Sequence, residues 1–208
     1  LSVFREIFLA LSSNPAAEFM TRRFPLSRRM IRRFVAGETL DSAIAAASVL
    51  NGQGMKVSLD PLGENIAERD AAIAATDAIL EIVDRVAAEG IDSSVSIKPT
   101  QIGLDISTEF CAENARRIVE RARDLKVLIQ VDMEGSDYTE RTLEIFHALR
   151  ADLENVGAVI QSYLYRSMED AHRLAGVGAY VRLCKGAYQE PPEAAFPEKK
   201  DVDRHYLE

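Results

Sequence analysis

Several protein classes leave marks that this sequence lacks, and each lack narrows what the chain can be. Only two cysteines are present, Cys111 and Cys184, in different segments and without the spacing of a metal site. No disulfide framework and no metal centre are expected, and a reducing compartment suits the chain. A basic excess is missing too. The formal net charge of −8 argues against nucleic-acid binding, which wants a basic surface. The apolar stretches fall far short of the roughly 20 residues a membrane span needs. Residues Leu1 to Ala10 are broken by Arg5 and Glu6, so they make a poor signal peptide. An initiator methionine is absent, and the sequence stops at His205-Tyr206-Leu207-Glu208 in what reads as a helix. A piece of something longer is therefore expected.

What is there reads as an ordinary globular chain. Of its 208 residues 47% are hydrophobic and 28% charged, enough for a sizeable core. Residues 1–34 read as short helices punctuated by Pro15 and Pro25. Six arginines crowd between Arg22 and Arg33. They read better as a solvated helix face than as a contact for anionic lipid. Thr39 is placed to cap a helix running to Leu50, with Asn51-Gly52 as its stop.

Strands and helices then alternate. Strands are expected at 55–60, 94–98, 127–132, 157–161 and 180–184, with helices near 64–89, 107–125, 138–149 and 167–175. That is the rhythm of a parallel sheet covered by helices. A doubly wound dinucleotide fold would carry Gly-x-Gly-x-x-Gly after its first strand, where Asp60-Pro-Leu-Gly-Glu64 stands instead. A (β/α)8 barrel places its chemistry at the carboxyl ends of its strands. Those ends carry Asp60, Lys98, Asp132, Gln161 and then Arg182 with Lys185. Alternation puts Ser58 with Asp60, Ser96 with Lys98, Gln130 with Asp132, and Arg182 with Cys184 on shared faces. Polar groups in one barrel mouth must pair with each other or with a ligand. The expected fold is an α/β (β/α)8 TIM-type barrel, of which residues 55–208 supply about five strand–helix units behind a helical lead-in of residues 1–54.

The fifth strand and its exit, Tyr180-Val-Arg-Leu-Cys-Lys-Gly-Ala-Tyr188, draw most attention. An apolar strand ending in Lys185-Gly186 brings a cation and accessible backbone N–H groups to one spot, which suits a phosphate or flavin chain. An edge strand with an ordinary glycine turn would look similar.

Together, Ser96-Ile-Lys-Pro-Thr-Gln-Ile-Gly103, Gln130-Val-Asp-Met-Glu134, Gln161-Ser-Tyr-Leu-Tyr-Arg166 and Arg182-Leu-Cys-Lys-Gly-Ala-Tyr188 resemble the successive barrel motifs of proline dehydrogenases. Phe34-Val-Ala-Gly-Glu-Thr-Leu40 resembles the lead-in helix of the bacterial single-function members. The resemblance implies FAD-dependent oxidation of L-proline to 1-pyrroline-5-carboxylate. It implies that Lys98 pairs with the proline carboxylate and that Tyr188 packs over the substrate. Asp132 and Arg182 would be the catalytic pair, the arginine near the reactive flavin nitrogen. Met133 and Gln161 would contact the flavin ring, and Lys185, Gly186 and Ala187 its ribityl and phosphate portion. No residue stands out as the base for the amine proton. The implied electron acceptor is a membrane quinone, with a cytoplasmic location and peripheral contact at the inner membrane face left open.

Taken singly, each residue has an everyday alternative. Asp132 could cap the next helix, Gln161 could be a structural hydrogen bonder, Tyr188 could be packing and Cys184 a small buried side chain. His147 and His172 read as surface residues of helices, and His205 is uninformative. Lys185 also has a rival role, the Schiff-base lysine of a barrel aldolase. A non-catalytic interaction module is the third reading. The family's C-terminal arginine pair, which also grips the carboxylate, lies beyond the last residue here. Residues 1–208 expressed alone are expected to be poorly soluble and inactive, with three further strand–helix units encoded downstream.

Overall fold

The computed structural model describes residues 39–208. The arginine cluster and the short helices expected before residue 35 lie outside the described residues. A boundary between two units falls between Val49 and Leu50, and the unit Leu50–Glu208 carries the sheet.

Helix α1 (Leu40–Gly52) starts where its cap was expected. Thr39 Oγ1 accepts the Ser42 N–H at 3.3 Å, and Ser42 Oγ accepts the Thr39 N–H at 3.2 Å. This reciprocal pairing satisfies two otherwise orphaned donors. The stop at Asn51 has a second purpose. Its Nδ2 donates to the carbonyls of Met55 and Asp92, and its Oδ1 accepts the Asp92 N–H at 2.8 Å, tying the approaches to the first two strands together.

Five parallel strands follow: β1 (Val57–Leu59), β2 (Ser93–Ile97), β3 (Ile129–Val131), β4 (Val156–Gln161) and β5 (Tyr180–Cys184). Their order in the sheet is their order in the sequence. Helices α2 (Arg69–Ala88), α3 (Thr108–Asp124), α4 (Thr139–Arg150) and α5 (Ser167–Gly176) join them. A last helix, α6 (Lys199–Leu207), follows β5.

The two faces of the sheet differ sharply. Val95, Ile97, Ile129, Val131, Val156 and Ile160 alternate onto the side that the helices cover. There they join Ile79 and Val83 of α2, Ile118 and Val119 of α3, and Phe146 and Leu149 of α4, all buried. Each such side chain, fully buried, contributes about 1.5–3 kcal/mol. The opposite face carries Ser58, Ser96, Gln130 and Arg182. It also carries Gly157, where a Cβ would stand 2.7 Å from the Tyr180 carbonyl oxygen and 2.8 Å from Gln130 Oε1. Glycine is needed there because the Tyr180 carbonyl is backbone and cannot swing aside as the end of the Gln130 side chain could.

The sheet is curled. Strands stand about 4.8 Å apart, so β1 and β5 would be roughly 19 Å apart if the sheet were flat. Yet Arg182 Nη1 of β5 reaches Ser58 Oγ of β1 at 3.3 Å. The outer strands bend toward each other around the polar face, as in a segment of a (β/α) barrel.

Three elements, β1, β3 and α2, differ most from the sequence expectation. β1 and β3 keep only three residues each in the ladder, losing two at the start and one at the end of each expected span. Helix α2 begins at Arg69 instead of near residue 64. The preceding loop is drawn onto the end of β2: the Asn65 N–H donates to Thr100 Oγ1 at 2.9 Å and the Ile66 N–H to the Thr100 carbonyl at 3.0 Å. Asn65 takes a φ of 58° there, which a helix does not allow.

Candidate active site

The carboxyl ends of β1, β2, β3 and β5 bring four charges together. Lys98 Nζ, just past β2, donates to Asp60 Oδ1 at 2.7 Å and to Asp132 Oδ2 at 3.5 Å. Arg182 Nη2 donates to Asp132 Oδ1 through a short contact, while its Nη1 reaches Ser96 Oγ at 3.1 Å. The result is a chain of alternating sign, Asp60, Lys98, Asp132, Arg182, strung across the mouth. The Lys98 and Asp132 side chains are only 15% and 11% exposed, so bulk water cannot screen their contact fully.

Burial pulls the Lys98 ammonium down, but hydrogen bonding to Asp60 and the charges of both carboxylates outweigh it and hold its pKa above the ordinary lysine value. At Asp132 burial is the dominant effect and pushes the carboxyl up, against the opposing pull of Arg182. The everyday reading of Asp132 as a helix cap does not match its contacts, which are to Lys98 and Arg182.

The remaining expected residues fall outside this chain of charges. Gln161 Nε2 donates to the Met133 and Glu134 carbonyls at 3.2 and 2.9 Å, fastening the end of β4 to the exit of β3. Tyr188 sends its hydroxyl to Glu64 Oε2 at 3.2 Å, so the loops after β5 and β1 meet over the mouth. Burial, then the charge of Glu64, pushes its pKa up. Cys184 is half-buried, and its thiol is pushed up by burial. Lys185, Gly186 and Ala187 are exposed together just after β5. Lys185 Nζ pairs with Asp203 Oδ1 of α6 at 2.6 Å. A Schiff-base lysine needs a desolvated pocket, and Lys185, half-exposed beside a carboxylate, does not have one.

Sequence reasoning passed over three carboxylates. Glu134 is buried and accepts the Thr100 N–H at 2.9 Å and the Thr100 hydroxyl at 2.6 Å; burial pushes its pKa up against those bonds. It stands two residues beyond Asp132, so carrying the strand alternation past the ladder would have found it. Glu64 and Glu190 lie in loops where no periodicity points to them. His205, read as uninformative, shares a hydrogen bond with the Ser162 carbonyl oxygen at 2.7 Å and packs edge-on against Phe196. It docks α6 against the end of β4.

A parallel strand–helix sheet curled around a mouth of paired charges at its carboxyl ends defines a barrel of the enzyme type. Residues 43–207 match the family described as proline dehydrogenase. The chain is 36% identical over 202 residues to proline dehydrogenase 1 of Bacillus subtilis subsp. natto, an alignment covering 97% of this chain and 67% of that protein. With the proline dehydrogenase of Deinococcus radiodurans it shares 35% identity over 209 residues, covering 98% and 67%. A crystal structure of proline utilization A from Bdellovibrio bacteriovorus, inactivated by N-propargylglycine, has the same fold, with a TM-score of 0.78 at 23% identity over 86% of this chain and 24% of that one. The chain belongs to the proline dehydrogenase family. It spans about two thirds of the length of the curated relatives it matches.

The residues after β4 and β5 fit the FAD that the resemblance implies. A cation, Lys185, stands exposed beside Gly186 and Ala187, which have little or no side chain to block an approaching ligand. Ser162 Oγ, next to Gln161, is buried without a hydrogen-bond partner. Cation, open backbone and spare hydroxyl are the donor set that an anionic, hydrogen-bonding cofactor needs. Among the described residues no helix is long and apolar enough to cross a membrane.

Proposed function

We propose that this chain supplies strands of an FAD-dependent barrel that oxidises L-proline to 1-pyrroline-5-carboxylate. The observation that carries the reading is the alternation Asp60, Lys98, Asp132, Arg182 across the mouth of a chain of this family. In this reading Lys98 takes the proline carboxylate, which can displace or share its carboxylate partners. Asp132 fixes Lys98 and Arg182 relative to each other, so the substrate meets a preset arrangement. Arg182 keeps positive charge on the side where reduction occurs, and Tyr188 covers the substrate. Met133, Gln161, Lys185, Gly186 and Ala187 form the cofactor side. Bound FAD supplies the hydride acceptor. The acceptor for its electrons would be a quinone at the membrane, reached from the cytoplasmic side.

The test is made on purified full-length protein. A flavin absorption spectrum, free FAD released by heat, and dye reduction that depends on L-proline are the expected results. Protein that stays colourless after incubation with FAD would overturn the reading.

A further inference from the structure

Between β5 and α6 the chain makes a largely exposed excursion, residues 185–190, and three of its contacts are made by one residue outside it. Tyr163, two residues past β4, takes the Lys185 carbonyl with its backbone N–H at 3.0 Å. Its ring lies against Gly186, so closely that a Cβ at that position would overlap the ring, and Gly186 has a φ of 110°. Its hydroxyl donates to Glu190 Oε1 at 3.0 Å. One residue thus touches the start, the bend and the end of the segment. Glu190 is held from a third side as well. It accepts the Ser136 N–H at 2.9 Å and the Ser136 hydroxyl through a short contact, both from the loop after β3. Burial first, and then the hydrogen bond to Glu190, pushes the Tyr163 phenol up, so the hydroxyl stays a donor across the physiological range.

None of these groups reaches the mouth charges. We infer that Tyr163 and Glu190 are positioning residues for the cofactor: Tyr163 is the template that holds Lys185, Gly186 and Ala187 in shape, and Glu190 locks that template to the loop after β3. The inference rests on the reading above that this segment holds FAD. It adds that affinity for the flavin depends on a hydrogen bond whose two partners are not assigned to touch it.

Stripped apoprotein titrated with FAD, followed by flavin fluorescence, tests the pair directly. Tyr163→Phe keeps the ring over Gly186 and removes only the hydroxyl, so folding should survive. Glu190→Ala removes the other partner. Each is expected to weaken FAD binding roughly three- to ten-fold, the scale of one hydrogen bond. The double variant should be no weaker than the worse single one, because both changes break the same link. Calorimetric binding of a simple carboxylate to the flavin-loaded protein should not move, since Lys98 is untouched. Wild-type FAD affinity in both single variants, or losses that add in the double variant, would overturn the inference alone. Wild-type apoprotein that takes up no FAD would bring down the functional reading and this inference together.

Discussion

The mouth charges and the segment after β5 sit at the same end of the sheet, yet they are built on opposite plans. Asp60, Lys98, Asp132 and Arg182 come from four different strands and hold one another, with Lys98 and Asp132 well shielded from water. The segment from Lys185 to Glu190 comes from one stretch of chain, lies largely exposed, and is shaped by Tyr163 and Glu190. A site made of crossing ion pairs is preset, and a ligand enters by trading places with a charge. A site made of a draped segment is only as well formed as the contacts beneath it. Changes in the first should therefore alter what binds, and changes in the second how firmly the chain keeps its shape.

The largest effect is expected at Lys98. Lys98→Met keeps the stem and removes the charge. In full-length protein, kcat/KM with proline should fall by about 2–4 kcal/mol of transition-state binding, while flavin content stays near wild type. Flavin analysis and steady-state kinetics check it, and a variant that loses its flavin but keeps its affinity for carboxylates would erase the distinction between the two regions.

Gly186→Ala comes next. The added methyl meets the Tyr163 ring at a φ of 110°. Such strain costs about 1–3 kcal/mol, to be read from the denaturation midpoint, with weaker FAD retention alongside. Gly176→Ala, where nothing lies within 4 Å, is the control and should stay within about 0.5 kcal/mol.

The two cysteines extend the contrast. Cys111 lies under the end of β2, its Sγ 3.4 Å from the Pro99 carbonyl, and burial pushes its pKa up to about 12. Cys184, at the start of the segment, is only half-buried. Alkylation of native protein at pH 8 should label Cys184 first, with Cys111 reacting only after unfolding. The unfolded state releases the Cys111 proton near 9 and the folded state near 12, so folding is favoured below pH 9 and loses ground as pH rises from there. The slope from this one group is about 1.4 kcal/mol per pH unit, and Cys111→Ala should flatten it.

Asp203→Asn should do least. The Lys185–Asp203 pair is largely exposed, which limits its worth to under about 1 kcal/mol of stability. Freeing Lys185 should leave FAD affinity equal or slightly tighter in the same titration, and a marked loss would mean that α6 takes part in shaping the segment.

The sequence carried the mouth well because strand alternation is local. Counting in twos from Ser58, Ser96 and Asp132 puts the right side chains on one face, and the run at 180–184 matches β5 residue for residue. It carried the segment poorly. Nothing in Lys185-Gly186 announces an aspartate 18 residues on, and the partner of Glu190 is a tyrosine on another strand's exit. The start of α2 was misplaced for a similar reason, because a threonine 35 residues later captures Asn65. Local rules find elements and faces, whereas partners brought in by loops depend on the finished fold.

The strand order also fixes a timetable. Because each strand pairs with the one made just before it, every new strand–helix unit can dock as it leaves the ribosome, on a surface already waiting. Only the contacts across the mouth must wait. Arg182 and Ser58 are 124 residues apart in sequence, so their bond cannot form until β5 has been synthesised. At the ~5–20 residues per second of synthesis, that delay lasts about 6–25 seconds. During it the polar face stays open to water, and Asp132 must wait for the arginine that will share its charge.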